Sequence, residues 1–410
     1  MEVSHMKFTI HKKLWFVICL ITIISLVGCS KISLFENKTA AKQEQLGREV
    51  PIELYVQEEI KSGKYEPDTG IYTGAYVQRD DNIQGDLLTY EALMGQKQTF
   101  KVFAYKAQEG ITKQEILRCI AQKKTPYIKL VLDTSYDLTP LYQLIFDLKE
   151  NYHIPIFIEL YPLTEKDYEV KAYKETYQRA YEILHKYLSN IVVVWSTDES
   201  RVMDMALYYP GGSYVDWVGL NVYMPRYKNG ERYNYDVTKN LEYWYKSYQE
   251  KKPLLISSLA ISHFSRVDHA YAIQETKDQL TLFYDKILED YPRLKGIIYV
   301  DVDMAQVSKK GQDDYRLTGQ PSLMETMKSL SLPLEIHATL QEDEKKINCY
   351  MKYSIIGTYF DEALYIPEEY MALCFKEVPL KKIQYVQNLS GELFYAYEDI
   401  QKYYMTYYKA

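Results

Sequence analysis

The chain of 410 residues is long enough for one large α/β domain of about 250 residues and a smaller one. Its formal net charge of -7, with signs mixed and no basic stripe, argues against nucleic acid as a partner. The five cysteines show no CxxC or other ligand spacing, so neither a zinc site nor any other metal site is expected, and no cofactor motif is found.

At the start of the chain, Lys12 and Lys13 precede the apolar run "LWFVICLITIISLV" (14–27), followed at once by "GCS". A charged region and an apolar stretch too short for a comfortable membrane span have the layout of an export signal. "LVGC" (26–29) resembles the lipobox of bacterial lipoproteins, which implies a signal over 1–29 and lipidation at Cys29. An uncleaved membrane anchor is the alternative, and under either the rest of the chain lies outside the cytoplasmic membrane. The polar stretch 30–49 reads as a flexible tether. Cys119, Cys349 and Cys374 remain, and buried free thiols are the simpler reading, with a Cys349–Cys374 disulfide left open.

Strands are then expected at "IYTGAYVQ" (71–78), "FKVFAYK" (100–106), "YIKLVLD" (127–133), "IPIFIELY" (154–161), "IVVVWST" (191–197), "VDWVGLNVY" (215–223), "PLLISSLA" (253–260) and "GIIYVDVD" (296–303). Helical patterns such as "EILRCIAQKK" and "YKETYQRAYEILHKYL" separate most of them. Strands alternating with helices imply a parallel (β/α)8 TIM barrel over 50–332. A doubly wound open sheet is the runner-up, but no GxGxxG follows the first strand. After Pro333 the pattern shortens into a small α+β accessory domain, 333–410, in which "YIPEEYMA" (365–372) and "YAYEDIQK" (395–402) hint at a repeated β–α unit.

In such a barrel the site forms at the C-terminal ends of the strands. There the sequence places Gln78, Lys106, Asp133, Tyr161, Asp198, Asn221 with Tyr223, Ser258, and Asp301 with Asp303. The stretch "VWSTDESRVMDMALYYPGGSYVDWVGLNVY" (194–223) is similar to a segment of glycoside hydrolase family 26, the β-mannanase-type barrels, and the similarity extends over roughly 64–330. The resemblance implies a barrel for β-linked polysaccharide, with a retaining mechanism in active members. That mechanism needs two carboxyl groups about 5–5.5 Å apart.

Aligned on the family's fourth and seventh strands, Glu159 falls where an arginine belongs, Leu163 at the acid/base glutamate and Ser258 at the nucleophile. Leucine cannot protonate a leaving oxygen, and serine cannot form the usual glycosyl ester. Asn221 stands at a family aspartate, while Tyr223 is kept. Lys129 and Glu159 are charges inside apolar strands, and burying both requires that they pair. Tyr161, Tyr214, Tyr223 and Tyr299, with Asn221, are the expected substrate-binding residues, because aromatic faces pack on sugar rings.

The leading expectation is a surface-anchored, non-catalytic barrel binding a polysaccharide or an envelope component. A glycosidase with relocated carboxylates, drawn from Glu165, Asp198 and Asp301, is the first alternative. The second is a structural lipoprotein that binds through its C-terminal domain. A Ser258, His263, Asp268 triad is disfavoured because the G-x-S-x-G elbow is missing.

Overall fold

The computed structural model describes residues 42–43, 47–106, 111–131, 135–149, 154–163, 168–233, 236–330, 332–334, 338 and 345–410. The calls at Cys29, Asp133 and Glu165 lie outside the described residues. No helix among the described residues is long and apolar enough to cross a membrane.

Eight parallel strands close into a barrel: β1 (Tyr72–Tyr76), β2 (Phe100–Lys106), β3 (Thr125–Val131), β4 (Ile156–Leu160), β5 (Ile191–Asp198), β6 (Trp217–Met224), β7 (Leu254–Ile261) and β8 (Leu294–Val300). Their apolar runs are nearly continuous because parallel strands are covered on both faces, and every residue of β7 is buried. The helices that follow include α1 (Leu87–Met94), α2 (Lys113–Ala121), α3 (Thr139–Leu148) and α4 (Val170–Tyr187). Local chemistry sets their ends. Thr112 and Glu115 form a capping box at α2, and Gly95 ends α1 with φ 67°.

Alternation along the strands sends one set of side chains inward, and near their N-terminal ends that set is aromatic. Phe157 packs against Phe100 at 4.9 Å and Trp217 at 5.4 Å between ring centres, and Tyr72 meets Phe100 at 5.5 Å. This plug fills the lower barrel, so any site has to form above it.

By compactness the chain divides into Tyr55–Tyr353, which holds the barrel, and a smaller unit of the residues up to Leu54 with Ser354–Ala410. The sequence boundary at Pro333 is therefore corrected. The small unit is discontinuous, because an N-terminal segment joins its sheet, and residues 55–61 and 333–353 fall with the barrel. The strands of its sheet follow the order Lys42–Gln43, Tyr385–Gln387, Leu393–Ala396, Ala363–Pro367, Lys346–Phe360, Arg48–Lys61, Thr406–Lys409, of which Lys346–Phe360 gives this unit only its residues from Ser354 and Arg48–Lys61 only those up to Leu54. Lys42 and Gln43, inside the expected tether, pair with Val386 and Gln387. The suspected repeat is two strand-to-helix units. Ala363–Pro367 runs into Glu368–Cys374, and Leu393–Ala396 into Tyr397–Ile400, with the two strands paired antiparallel. Cys119, Cys349 and Cys374 are buried thiols outside any disulfide.

Candidate functional site

Above the aromatic plug, the inward positions turn polar. Register aligns Lys129 of β3 with Glu159 of β4, and Asn221 of β6 with Ser258 of β7. A shift in the ladder between Ile256 and Ser258 marks a bulge, and Ser257 and Ser258 both bond into the cluster there. Gly219 makes room for them, since a Cβ at that position would lie 2.8 Å from Ser257 Oγ and 3.0 Å from Ser196 Cβ.

Lys129 and Glu159 form the ion pair required for their burial, with Nζ 2.8 Å from Oε2, and Glu159 is fully buried. The lysine also donates to Ser258 Oγ at 2.6 Å, the Ser257 carbonyl at 2.8 Å and Asn221 Oδ1 at 3.4 Å. The carboxylate accepts from Ser196 Oγ at 2.5 Å, Asn221 Nδ2 at 3.3 Å and the Tyr127 hydroxyl at 3.1 Å. Burial and then the Glu159 charge push the Tyr127 phenol far above its ordinary pKa, which keeps it a donor. The pair is thus saturated with hydrogen bonds, the condition under which burying two charges is tolerable.

The same network explains Asn221. Its Nδ2 donates to Glu159 and Ser196, while its Oδ1 accepts from Ser257 at 3.2 Å and from Lys129. An aspartate here would lose both donor bonds and set a second carboxylate against Glu159. Tyr223, 43% exposed, reaches Ser258 Oγ at 3.4 Å and carries an aromatic face to the open end of the barrel.

Several expected positions fall elsewhere. Tyr161 and Tyr299 are 3% and 1% exposed, so neither offers a face to a ligand. Tyr299 instead donates to the Tyr315 carbonyl at 2.8 Å. Tyr214 precedes β6 and packs edge-on against Tyr181 of α4, at the N-terminal end of the strand and away from the mouth. Leu163 is buried in the apolar core at 1% exposure.

The strand-end acids among the described residues have structural roles. Asp198 caps a 3-10 turn through Ser200 N at 2.8 Å, and Asp303 grips Arg266 with two bonds of 2.8 and 2.7 Å. Asp301 is fully buried, accepting from Leu317 N at 2.6 Å and Thr318 Oγ1 at 3.1 Å. Among the described residues no triad forms at Ser258 either, since Asp268 is paired with Arg226 at 3.0 Å and His263 Nδ1 has no hydrogen-bond partner there. Sequence reading missed Ser196, Ser257 and Tyr127. The parity of Asn221 and Tyr223, carried back along each neighbouring strand, is the signal that finds Ser196 and Tyr127.

This is a (β/α)8 barrel with its polar centre at the C-terminal strand ends. The profile of Glycosyl hydrolase family 26 matches residues 163–302, about a third of the chain, from Leu163 through β8. A β-1,3-xylanase, TXYA, of Vibrio sp. is 25% identical over 150 residues, covering 32% of this chain and 31% of its own. The chain thus spans about a third of that relative's length. Among solved structures, GH26C from Muricauda sp. MAR_2010_75 superposes with a TM-score of 0.50 at 11% identity, covering 67% of this chain and 91% of that one. That last likeness is one of fold alone. The chain carries a glycosyl hydrolase family 26-like barrel.

Proposed function

We propose that the protein is a surface-anchored barrel that binds a polysaccharide or an envelope glycan without hydrolysing it, held to the outer side of the cytoplasmic membrane through a lipid at Cys29. The observation that carries this reading is the Lys129 ammonium, 2.6 Å from the hydroxyl of Ser258, the residue aligned with the nucleophile. Cleavage of a glycosidic bond passes through an oxocarbenium-like state, stabilised by carboxylates on either side of the sugar. A fixed cation on the floor opposes the positive charge that develops there, and Glu159, its partner, is already saturated. Leu163 offers no proton to a leaving group. What the mouth keeps is Tyr223, an aromatic platform suited to the apolar face of a pyranose.

The test is electrophoresis of the full chain through gels cast with β-mannan, glucomannan, mixed-linkage glucan, β-1,3-xylan or cell-wall polysaccharide, with reducing ends assayed in parallel. Retardation by at least one polymer without release of reducing ends is expected, weakened roughly tenfold, about 1.4 kcal/mol, by Tyr223→Ala. Release of sugar that disappears with Asp198→Asn or Glu165→Gln overturns the reading in favour of a rebuilt active site.

A further inference from the structure

The small unit holds a feature that the barrel does not account for. Across one face of its sheet runs a depression of 560 Å³, and beside it lies a second of 440 Å³. Glu49, Thr358 and Phe394 line both, so the two form one trough. Its first half is walled by Glu49, Glu368, Glu369 and Glu392, contributed by three separate segments, and among the described residues no lysine, arginine or histidine lines either half.

The acids are not spoken for by cations. Glu368 accepts from the Tyr395 hydroxyl at 3.2 Å, Glu392 from Asn388 Nδ2 at 2.6 Å and Ser390 Oγ at 3.1 Å, and Glu369 meets the neighbouring Tyr370 hydroxyl. These are neutral donors, and among the described residues none of the four carboxylates has an ammonium or guanidinium partner. The floor is aliphatic, with Ile356 38% exposed in mid-strand beside Leu393 and Pro367. A second, independent feature is Thr358. It is 3% exposed, lines both halves of the trough, and its hydroxyl has no hydrogen-bond partner among the described residues. A buried hydroxyl without a partner costs stability unless something supplied from outside satisfies it.

We infer that this trough is a docking site for an extended, lysine- or arginine-bearing segment of a partner protein. Basic side chains combine an apolar stem with a cationic head, so stems lying on Ile356, Leu393 and Pro367 bring heads to the glutamates. A peptide backbone also carries the donors and acceptors that Thr358 lacks. The carboxylates do not gather around one point, since no group of three or more metal-ligating side chains is found among the described residues. A chain of spaced cations therefore fits better than a single ion. An amino-sugar polymer fits less well, because Phe360 and Phe394 are 3% and 8% exposed and present no open ring face to a pyranose.

The experiment is a fluorescence-anisotropy titration of the full chain with a labelled dodecapeptide of alternating lysine and leucine, run beside its glutamate–leucine counterpart and a labelled chitosan oligomer. Saturable binding of the basic peptide is expected. It should weaken tenfold or more in the combined variant E49Q, E368Q, E369Q and E392Q, and severalfold in Thr358→Val. Removing four exposed acids of the barrel unit instead, E175Q, E182Q, E231Q and E325Q, should leave it unchanged, with circular dichroism confirming that each variant is folded. Equal loss in both quadruple variants would mean that only net charge matters, and the proposal fails. It fails equally if the basic peptide does not saturate, or if the chitosan oligomer binds and the peptide does not.

Discussion

On the barrel axis Lys129 and Glu159 meet as opposite charges, whereas at the rim two carboxyl groups, Asp80 after β1 and Asp301 after β8, approach with the Thr318 hydroxyl between them. Thr318 Oγ1 lies 2.6 Å from Asp80 Oδ2 and 3.1 Å from Asp301 Oδ2, yet it owns one hydrogen. Three oxygens in contact need a second hydrogen, and a proton on one carboxyl supplies it. Burial, then the hydrogen bond with Asp80 and then the Asp80 charge, hold the Asp301 pKa well above the ordinary carboxylate range. The axial cluster is self-neutralising. The rim cluster is complete only while it keeps a proton. Both bury acids in one barrel, and what separates them is the ratio of cations to acids: Lys129 matches Glu159 one to one, whereas the two rim acids share Arg316, whose Nη1 lies 4.0 Å from Asp80 Oδ1.

The largest effect should come from unmatching the axial pair. Lys129→Met leaves the Glu159 charge buried alone, and a loss of about 3–5 kcal/mol is expected in urea unfolding of the full chain. The double variant with Glu159→Gln removes both charges and keeps hydrogen-bonding atoms for Ser196, Asn221 and Tyr127, so it should recover most of that loss. A double-mutant cycle reads the coupling directly, and losses that simply add would show that the pair is not a unit. Next in size is Asn221→Asp. It removes the donors to Glu159 and Ser196 and adds a like charge beside Glu159, with an expected cost of about 1–3 kcal/mol. Restoring the family's residue at this one position should therefore harm the protein, because the surrounding network has changed with it.

The barrel could be read from the sequence because parallel strands covered on both faces leave unbroken apolar runs, and their alternation with helices admits few topologies. The need for Lys129 to meet Glu159 could also be read, since two charges in apolar strands have few ways to be buried. The ligand tyrosines were harder to place. Tyr161, Tyr223 and Tyr299 all sit near strand ends, but only Tyr223 opens to solvent, and the turn beyond each strand decides that. Tyr214 belongs to the turn before β6, at the N-terminal end of that strand, and a count from the strand's apolar run does not show which end it joins. The boundary of the small unit was hidden for a different reason. Its sheet recruits an N-terminal segment, and strand pairing between distant parts of a chain leaves no local mark.

The smallest effect, and the sharpest on the rim cluster, concerns pH. Asp301 keeps its proton in the fold at pH values where the unfolded chain has released it. Its contribution is therefore complete below the unfolded carboxyl pKa of about 3.9 and is lost as pH rises toward and through its folded value. The slope is at most about 1.4 kcal/mol per pH unit for one proton. Asp301→Asn supplies from its amide the hydrogen that the carboxyl otherwise has to hold, so the variant should lose less stability than the parent as pH rises from 5 through 6 to 7. Urea midpoints at the three values measure this, and parallel curves for the two proteins would mean that the Asp80–Thr318–Asp301 bridge does not carry the shared proton. No such flattening is expected from the axial double variant, since it leaves the Asp80–Thr318–Asp301 bridge untouched. If that variant flattened the curve as well, the distinction drawn between the two clusters would not hold.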